Sequence, residues 1–141
     1  MQDRIDDATI RVLQEFGTAH GEVLGLYVFG SAARGVARQD SDLDIAVLTA
    51  GELVPSDATG AIIRYELELE ERLTMPVDVV LLNSASPMLR FQVFSKGKLV
   101  YARDPRQVRR FVSDAIVEFY DEIVLLERLQ ERVIRRVIHG R

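Results

Sequence analysis

The residues of this sequence that are best suited to chemistry are three aspartates, Asp42, Asp44 and Asp78. Asp42 and Asp44 begin an apolar, β-prone run, and because side chains alternate along a strand both carboxylates are predicted to face the same side. Two ionised carboxylates placed so closely repel each other unless a cation lies between them. The pattern therefore predicts a site for a hard divalent ion, Mg²⁺ or Mn²⁺. Asp78 adds a third carboxylate inside another apolar run, where a charge requires a stabilising partner.

A loop of small residues precedes this aspartate pair and has the composition of a phosphate-binding turn. Gly30 and Ser31 follow an apolar run, and small residues allow the backbone to approach an anion closely. The Ser31 hydroxyl and the first amides of a helix that starts here would donate to phosphate oxygens. Arg34, one turn further, could act as a two-pronged donor. Loop and aspartates together predict a triphosphate site that faces a metal pair.

Each of these residues also has a purely structural interpretation. Acids at the start of a strand are often solvated, Asp78 could pair with an arginine, and Arg34 could be an ordinary surface residue. The combination of a glycine-serine turn, an aspartate pair and a later aspartate in an apolar run favours a binding site over these separate explanations. His20 and His139 have no acid or nucleophile at a telling spacing, so we expect them at loop or surface positions.

Hydropathy periodicity predicts the elements that would position these residues. The predicted strands cover residues 23–29, 42–48, 77–82 and 98–101. The predicted helices cover residues 4–16, 56–73, 87–96 and 105–139. Ser56 and Ser86 are expected to cap helices, Gly17 and Gly21 to end the first helix, and Gly97 to end the third.

Composition limits the class of protein. The chain has 141 residues, 48% hydrophobic and 28% charged, which is typical of one globular domain. It has no cysteine, so disulfides and thiolate metal sites are excluded. We find no signal-peptide pattern and no run near the ~18 apolar residues of a membrane helix, and we expect a cytoplasmic protein without membrane contact. The net charge of −4 disfavours direct nucleic-acid binding.

The last predicted helix carries more apolar residues than one core contact requires. Between residues 116 and 126, apolar side chains occupy more than one stripe of the helix circumference. A second apolar face indicates a second contact, either with a partner protein or with another copy of the chain. We therefore divide the chain into a core, residues 1–103, and a helical extension, residues 104–141, that packs on the core and on a partner.

The spacing of the motifs resembles the nucleotidyltransferase superfamily that includes polymerase β. Ser31 and Asp42 are ten residues apart, Asp44 completes an Asp-x-Asp pair, and Asp78 matches the family's later single aspartate. The forms Gly30-Ser31-x-x-Arg34-Gly35 and Ser41-Asp42-x-Asp44 look most like the minimal nucleotidyltransferases, the MntA-type antitoxins of HEPN/MNT toxin–antitoxin pairs. The resemblance implies an α/β (α+β) fold with a small twisted mixed sheet flanked by helices, followed here by the long C-terminal helix.

The resemblance also implies an activity, which is transfer of AMP from ATP to a tyrosine of a cognate HEPN ribonuclease toxin. Asp42, Asp44 and Asp78 would bind two Mg²⁺ ions, with Mn²⁺ as a substitute, and Asp78 would also help to take the proton of the acceptor. Gly30, Ser31, Arg34 and Ser41 would bind the nucleotide.

Two other functions remain open at this point. The chain could transfer a nucleotide to a small hydroxylated molecule, as aminoglycoside-modifying relatives do, although the sequence offers no acceptor-binding region for one. It could instead be a non-catalytic antitoxin that holds nucleotide and blocks its partner sterically.

Overall fold

The computed structural model describes residues 5–30, 42–51 and 55–140. Within these ranges the chain forms a four-stranded sheet that is flanked by helices. The strands are β1 (Val23–Phe29), β2 (Leu43–Thr49), β3 (Val77–Leu81) and β4 (Lys98–Ala102). The helices within these ranges are α1 (Asp7–Ala19), α2 (Pro55–Leu73), α3 (Pro87–Lys96) and α4 (Pro105–His139).

The sheet is mixed, and its strand order is β3-β2-β1-β4. β2 runs parallel to β3 and antiparallel to β1, which is in turn antiparallel to β4. Parallel neighbours need a crossover connection, and α2 supplies it between β2 and β3. The α/β architecture and the mixed sheet confirm the fold predicted from the sequence.

Each face of the sheet packs against its own pair of helices. α1 and α2 cover one face through Phe16 and Leu69, which bury the inward residues of β2 and β3. α3 and α4 cover the other face through Val93 and Val108. The alternation along β2 sorts its side chains between the two layers: Leu43, Ile45 and Val47 lie towards α1 and α2, whereas Ala46 and Leu48 lie towards α3 and α4.

Most predicted boundaries agree with the structure, and the exceptions have local causes. β1, α3 and α4 cover the predicted residues, and Ser86 caps α3 by accepting a hydrogen bond from the Leu89 amide at 3.2 Å. α2 begins at Pro55, so the predicted cap Ser56 lies inside its first turn. β3 stops one residue early because Leu82 starts a 3-10 turn.

α1 ends between the two glycines that were expected to stop it, so Gly17 itself does not end the helix. α1 continues through Gly17 to Ala19, and the buried glycine faces the ring of Tyr101 on β4. A Cβ at this position would lie 2.7 Å from Tyr101 Cγ, closer than real side chains approach. The glycine is therefore present because the helix and the tyrosine ring touch.

His20 occupies a loop, as expected, but acids that the sequence did not single out surround it. Its Nε2 lies 2.7 Å from a Glu68 carboxylate oxygen, and its Nδ1 lies 3.5 Å from Glu22. Tyr65 donates a 2.6 Å hydrogen bond to Glu22, and this bond is the main cause that lowers the pKa of Glu22. A lowered carboxyl pKa stabilises the fold above the ordinary carboxyl range, and that contribution is lost as the pH falls through the folded value.

The second half of α4 extends beyond the core. After Phe119 its side chains are exposed apart from the half-buried Ile123. The exposed apolar side chains of this helix are Ile116, Val117, Tyr120, Val124, Leu125, Leu126, Leu129, Val133, Ile134, Val137 and Ile138. We call this set the α4 apolar face. It confirms that the helix carries more apolar surface than the core uses.

Among the helices of the described ranges, none is both long enough and apolar enough to span a bilayer.

We expect Gly17→Ala to destabilise the fold, because the added methyl group meets the Tyr101 ring. Overpacking of this kind costs about 1–3 kcal/mol, which exceeds the roughly 0.5–1 kcal/mol that alanine gains over glycine in a helix. Urea unfolding followed by circular dichroism measures the difference. Gly21→Ala is the matched control, since no atom lies within 4 Å of its Cβ position. Equal stability of the two variants would contradict the packing argument.

Candidate active site

Asp44 and Asp78 are neighbours on the parallel strands β2 and β3. They are register partners in the ladder, so their side chains leave the sheet on the same face, with the two strands about 4.8 Å apart. The residues on either side of them, such as Leu43 and Val79, are buried on the opposite face. Asp78 is exposed and Asp44 is half-buried. The structure thus brings two of the three predicted aspartates together at an accessible position.

Asp42 lies one residue before β2 and is exposed. Within residues 5–30, 42–51 and 55–140, no three Asp, Glu or His side chains come together as a group that could hold a metal ion. The structure therefore pairs Asp44 with Asp78 and leaves the convergence of Asp42 on that pair as a prediction.

Gly30 joins the predicted phosphate-binding turn to the aspartates. β1 ends at Phe29, whose register partner on β2 is Asp44, and Gly30 follows with a φ of 69°. A Cβ on Gly30 would collide with the Asp44 carboxylate, whose Cγ lies 3.1 Å from that position. Both the positive φ and the close approach require glycine at this turn.

The site lies at one end of the sheet face that α3 and α4 cover. Farther along the same face, Tyr27 and Leu48 are buried beneath these helices, next to Val93. Burial raises the pKa of Tyr27, which suits a core residue. The accessible aspartates therefore sit where the apolar layer ends, at the carboxyl end of β1 and the amino ends of β2 and β3.

Three of the predicted nucleotide-binding residues, Ser31, Arg34 and Ser41, lie outside the described residues. Their proposed contacts with a nucleotide stay predictions. Gly30 is the member of that set that the structure places, and it lies directly against Asp44.

The family comparison covers this whole site. The family model described as "Polymerase beta, Nucleotidyltransferase" matches residues 12–106, a range that contains Gly30 and all three aspartates. The chain belongs to the polymerase β nucleotidyltransferase family. Family membership confirms the resemblance on which the sequence interpretation relied.

One curated relative is similar to this chain over part of its length. The chain is 41% identical over 78 residues to the protein adenylyltransferase MntA of Shewanella oneidensis, and the aligned region is 54% of this chain and 52% of the relative. The match thus spans about half the length of that curated relative. The rest of that relative lies outside the aligned region.

Solved structures extend the likeness along the chain. A chain from a toxin–antitoxin structure with AMP-PNP is 26% identical, has a TM-score of 0.72, and matches over 92% of this chain and 99% of its own length. A chain from a complex of the tri-AMPylated HEPN toxin of Shewanella oneidensis with its MNT antitoxin is 24% identical, with a TM-score of 0.66 over 90% and 96% of the two chains. The second likeness concerns the fold alone.

We expect Gly30→Ala to lower nucleotidyl transfer by about 100-fold, because the added methyl group displaces the Asp44 carboxylate and misplacement by about 1 Å costs that much. The measurement is the transfer rate with radiolabelled ATP, beside a circular dichroism spectrum that reports folding.

The matched control for this substitution is Gly51→Ala. Gly51 also has a positive φ, 76°, but no atom lies within 4 Å of its Cβ position. Both variants carry the backbone strain of about 1–2 kcal/mol, and only Gly30→Ala meets a carboxylate. Equal transfer rates in the two variants would show that the Gly30–Asp44 contact is unimportant.

Proposed function

We propose that this chain is an antitoxin nucleotidyltransferase that transfers AMP from Mg-ATP to a tyrosine hydroxyl of a cognate HEPN ribonuclease toxin and so neutralises it. The observation that carries the proposal is the pairing of Asp44 with Asp78 beside the Gly30 turn. Similarity to a protein adenylyltransferase and to a chain crystallised as a toxin–antitoxin with an ATP analogue supports the choice of ATP and of a protein acceptor.

The residues fit divalent metal ions. Carboxylate oxygens are hard ligands of the kind that Mg²⁺ and Mn²⁺ prefer, and two of them already share one face of the sheet. Asp42, Asp44 and Asp78 would hold two ions. When bound, the ions neutralise the charge of the triphosphate and of the departing pyrophosphate.

The remaining steps fall to groups of the chain itself. Gly30 and Ser31, with Arg34 and Ser41, bind the triphosphate and orient it. The tyrosine oxygen forms a bond to the α-phosphorus while the bond from that phosphorus to the β-phosphate bridge breaks, and pyrophosphate leaves. The exposed Asp78 carboxylate takes the phenol proton. Its exposure suits an acceptor that arrives on another protein.

The C-terminal helix supplies the surface for that protein. We treat residues 1–103 as the catalytic core and residues 104–141 as an extension whose α4 apolar face binds the toxin. The match to a chain of a toxin–antitoxin complex covers 92% of this chain, so it reaches into the extension. The reaction would take place in the cytoplasm, without a membrane or nucleic acid as partner.

Steric inhibition is a second candidate function, favoured by the size of the α4 apolar face. A chain that binds the toxin through this helix could block it without any transfer. The difference between the two functions lies in whether neutralisation needs the aspartates.

The test is to incubate the chain with Mg-ATP and the toxin encoded beside it, and to record intact masses of both proteins. We expect one or more AMP increments on the toxin and none with Asp42→Ala/Asp44→Ala. Toxin RNase activity should fall with the wild-type chain and persist with the double variant. Equal suppression by both proteins without a mass change would replace transfer by steric inhibition.

We expect Leu125→Glu and Val124→Glu to weaken toxin binding at least about 10-fold, because each buries a charge in the proposed contact. Both side chains are about half exposed, 56% and 45%, so the fold should persist. Calorimetry or light scattering on the mixture measures the affinity. Gln130→Glu, which adds the same charge at an exposed polar position of the same helix, is the control. Unchanged binding in all three variants would remove α4 from the interface.

A further inference from the structure

β3, the strand that carries Asp78, lies at the edge of the sheet. An edge strand presents a row of N–H groups that no neighbouring strand can accept. Here two of them have side-chain acceptors from α2. The Val77 amide donates to Glu70 Oε1 at 3.1 Å, and the Val79 amide donates to Glu66 Oε1 at 3.0 Å.

The two hydrogen bonds lie on either side of Asp78. Glu66 and Glu70 are four residues apart and share one face of α2, whereas Val77 and Val79 are two residues apart and share one edge of β3. The spacing of the two glutamates along α2 therefore matches the spacing of the two amides along β3. Each bond to a carboxylate is also stronger than a bond between neutral groups.

The backbone around Asp78 is also held by the burial of its two neighbouring side chains. The side chains of Val77 and Val79 are only 5% and 3% exposed, within the core that α2 shares. Asp78, between them, must then project to the other face, where Asp44 is its register partner. The backbone on both sides of Asp78 is thus held by the ladder to β2, by two buried valines and by two glutamates.

We propose that Glu66 and Glu70 are positioning residues that hold Asp78 beside Asp44 for metal-dependent nucleotidyl transfer. This inference rests on the proposed function, since it assigns a purpose to the rigidity of Asp78. A ligand on an edge strand lacks a neighbouring strand on one side, and the two glutamates replace that support. Groups that orient metal ligands typically affect metal affinity or activity by about 10–100-fold.

The experiment compares Glu66→Ala/Glu70→Ala with Glu66→Gln/Glu70→Gln, in which an acceptor oxygen is retained. Glu71→Ala is the control, since Glu71 is an exposed acid of the same helix. Two quantities are measured: amide hydrogen exchange of the peptide that contains residues 75–82, and the Mg²⁺ concentration that gives half-maximal transfer. The single alanine variants are measured in the same way, so the test does not depend on the double variant being folded.

We expect the alanine variants to exchange faster at β3 and to need about 10-fold more Mg²⁺. The Glu71→Ala variant should resemble the wild type, and the glutamine variants, which keep a neutral acceptor oxygen, should lie between the wild type and the alanine variants. Unchanged exchange in the alanine variants would show that the bonds do not hold β3. If exchange is faster but the Mg²⁺ requirement is unchanged, the glutamates stabilise β3 without positioning Asp78 for metal-dependent transfer. A wild-type chain that transfers no AMP at any Mg²⁺ concentration would overturn the proposed function, and the exchange data would still report on the bonds.

Discussion

The register pairing of Asp44 with Asp78 on the parallel strands β2 and β3 is the constraint on which the candidate site depends. Like charges at neighbouring positions of adjacent strands destabilise a sheet. The chain nevertheless places them in register, with one carboxylate against the Gly30 backbone and the other at an exposed edge. In the proposed function, the two carboxylates are ligands of a divalent cation.

The helices that pack on the sheet keep Asp44 and Asp78 in register. α1 and α2 bury the alternate residues of β2 and β3, and this burial fixes the register, since a slip by one residue would turn every side chain to the wrong face. Gly17 allows α1 to lie against Tyr101 of β4. Packing of the apolar side of β2 and β3 therefore determines which face of the sheet carries Asp44 and Asp78.

Local patterns were sufficient to predict some features and insufficient for others. Alternation predicted that Asp42 and Asp44 face the same side; the structure places Asp44 on the face opposite the buried Leu43, whereas Asp42 lies before β2. The contact of His20 with Glu68 joins residues 48 apart, and the Glu66–Val79 bond joins residues 13 apart on different elements. Such contacts depend on how α2 docks, which no periodicity reveals. Gly17 was misjudged for the same reason, because its ring partner lies on a distant strand.

The parallel pairing of β2 with β3 has a consequence for how the chain is made. During synthesis Asp44 leaves the ribosome before Asp78, because α2 lies between β2 and β3 in the chain. A chain interrupted between residues 50 and 76 includes Gly30, Asp42 and Asp44 but lacks β3. Such a chain cannot pair Asp44 with Asp78, so an activity that needs this pair, as proposed, would begin only in molecules that contain β3.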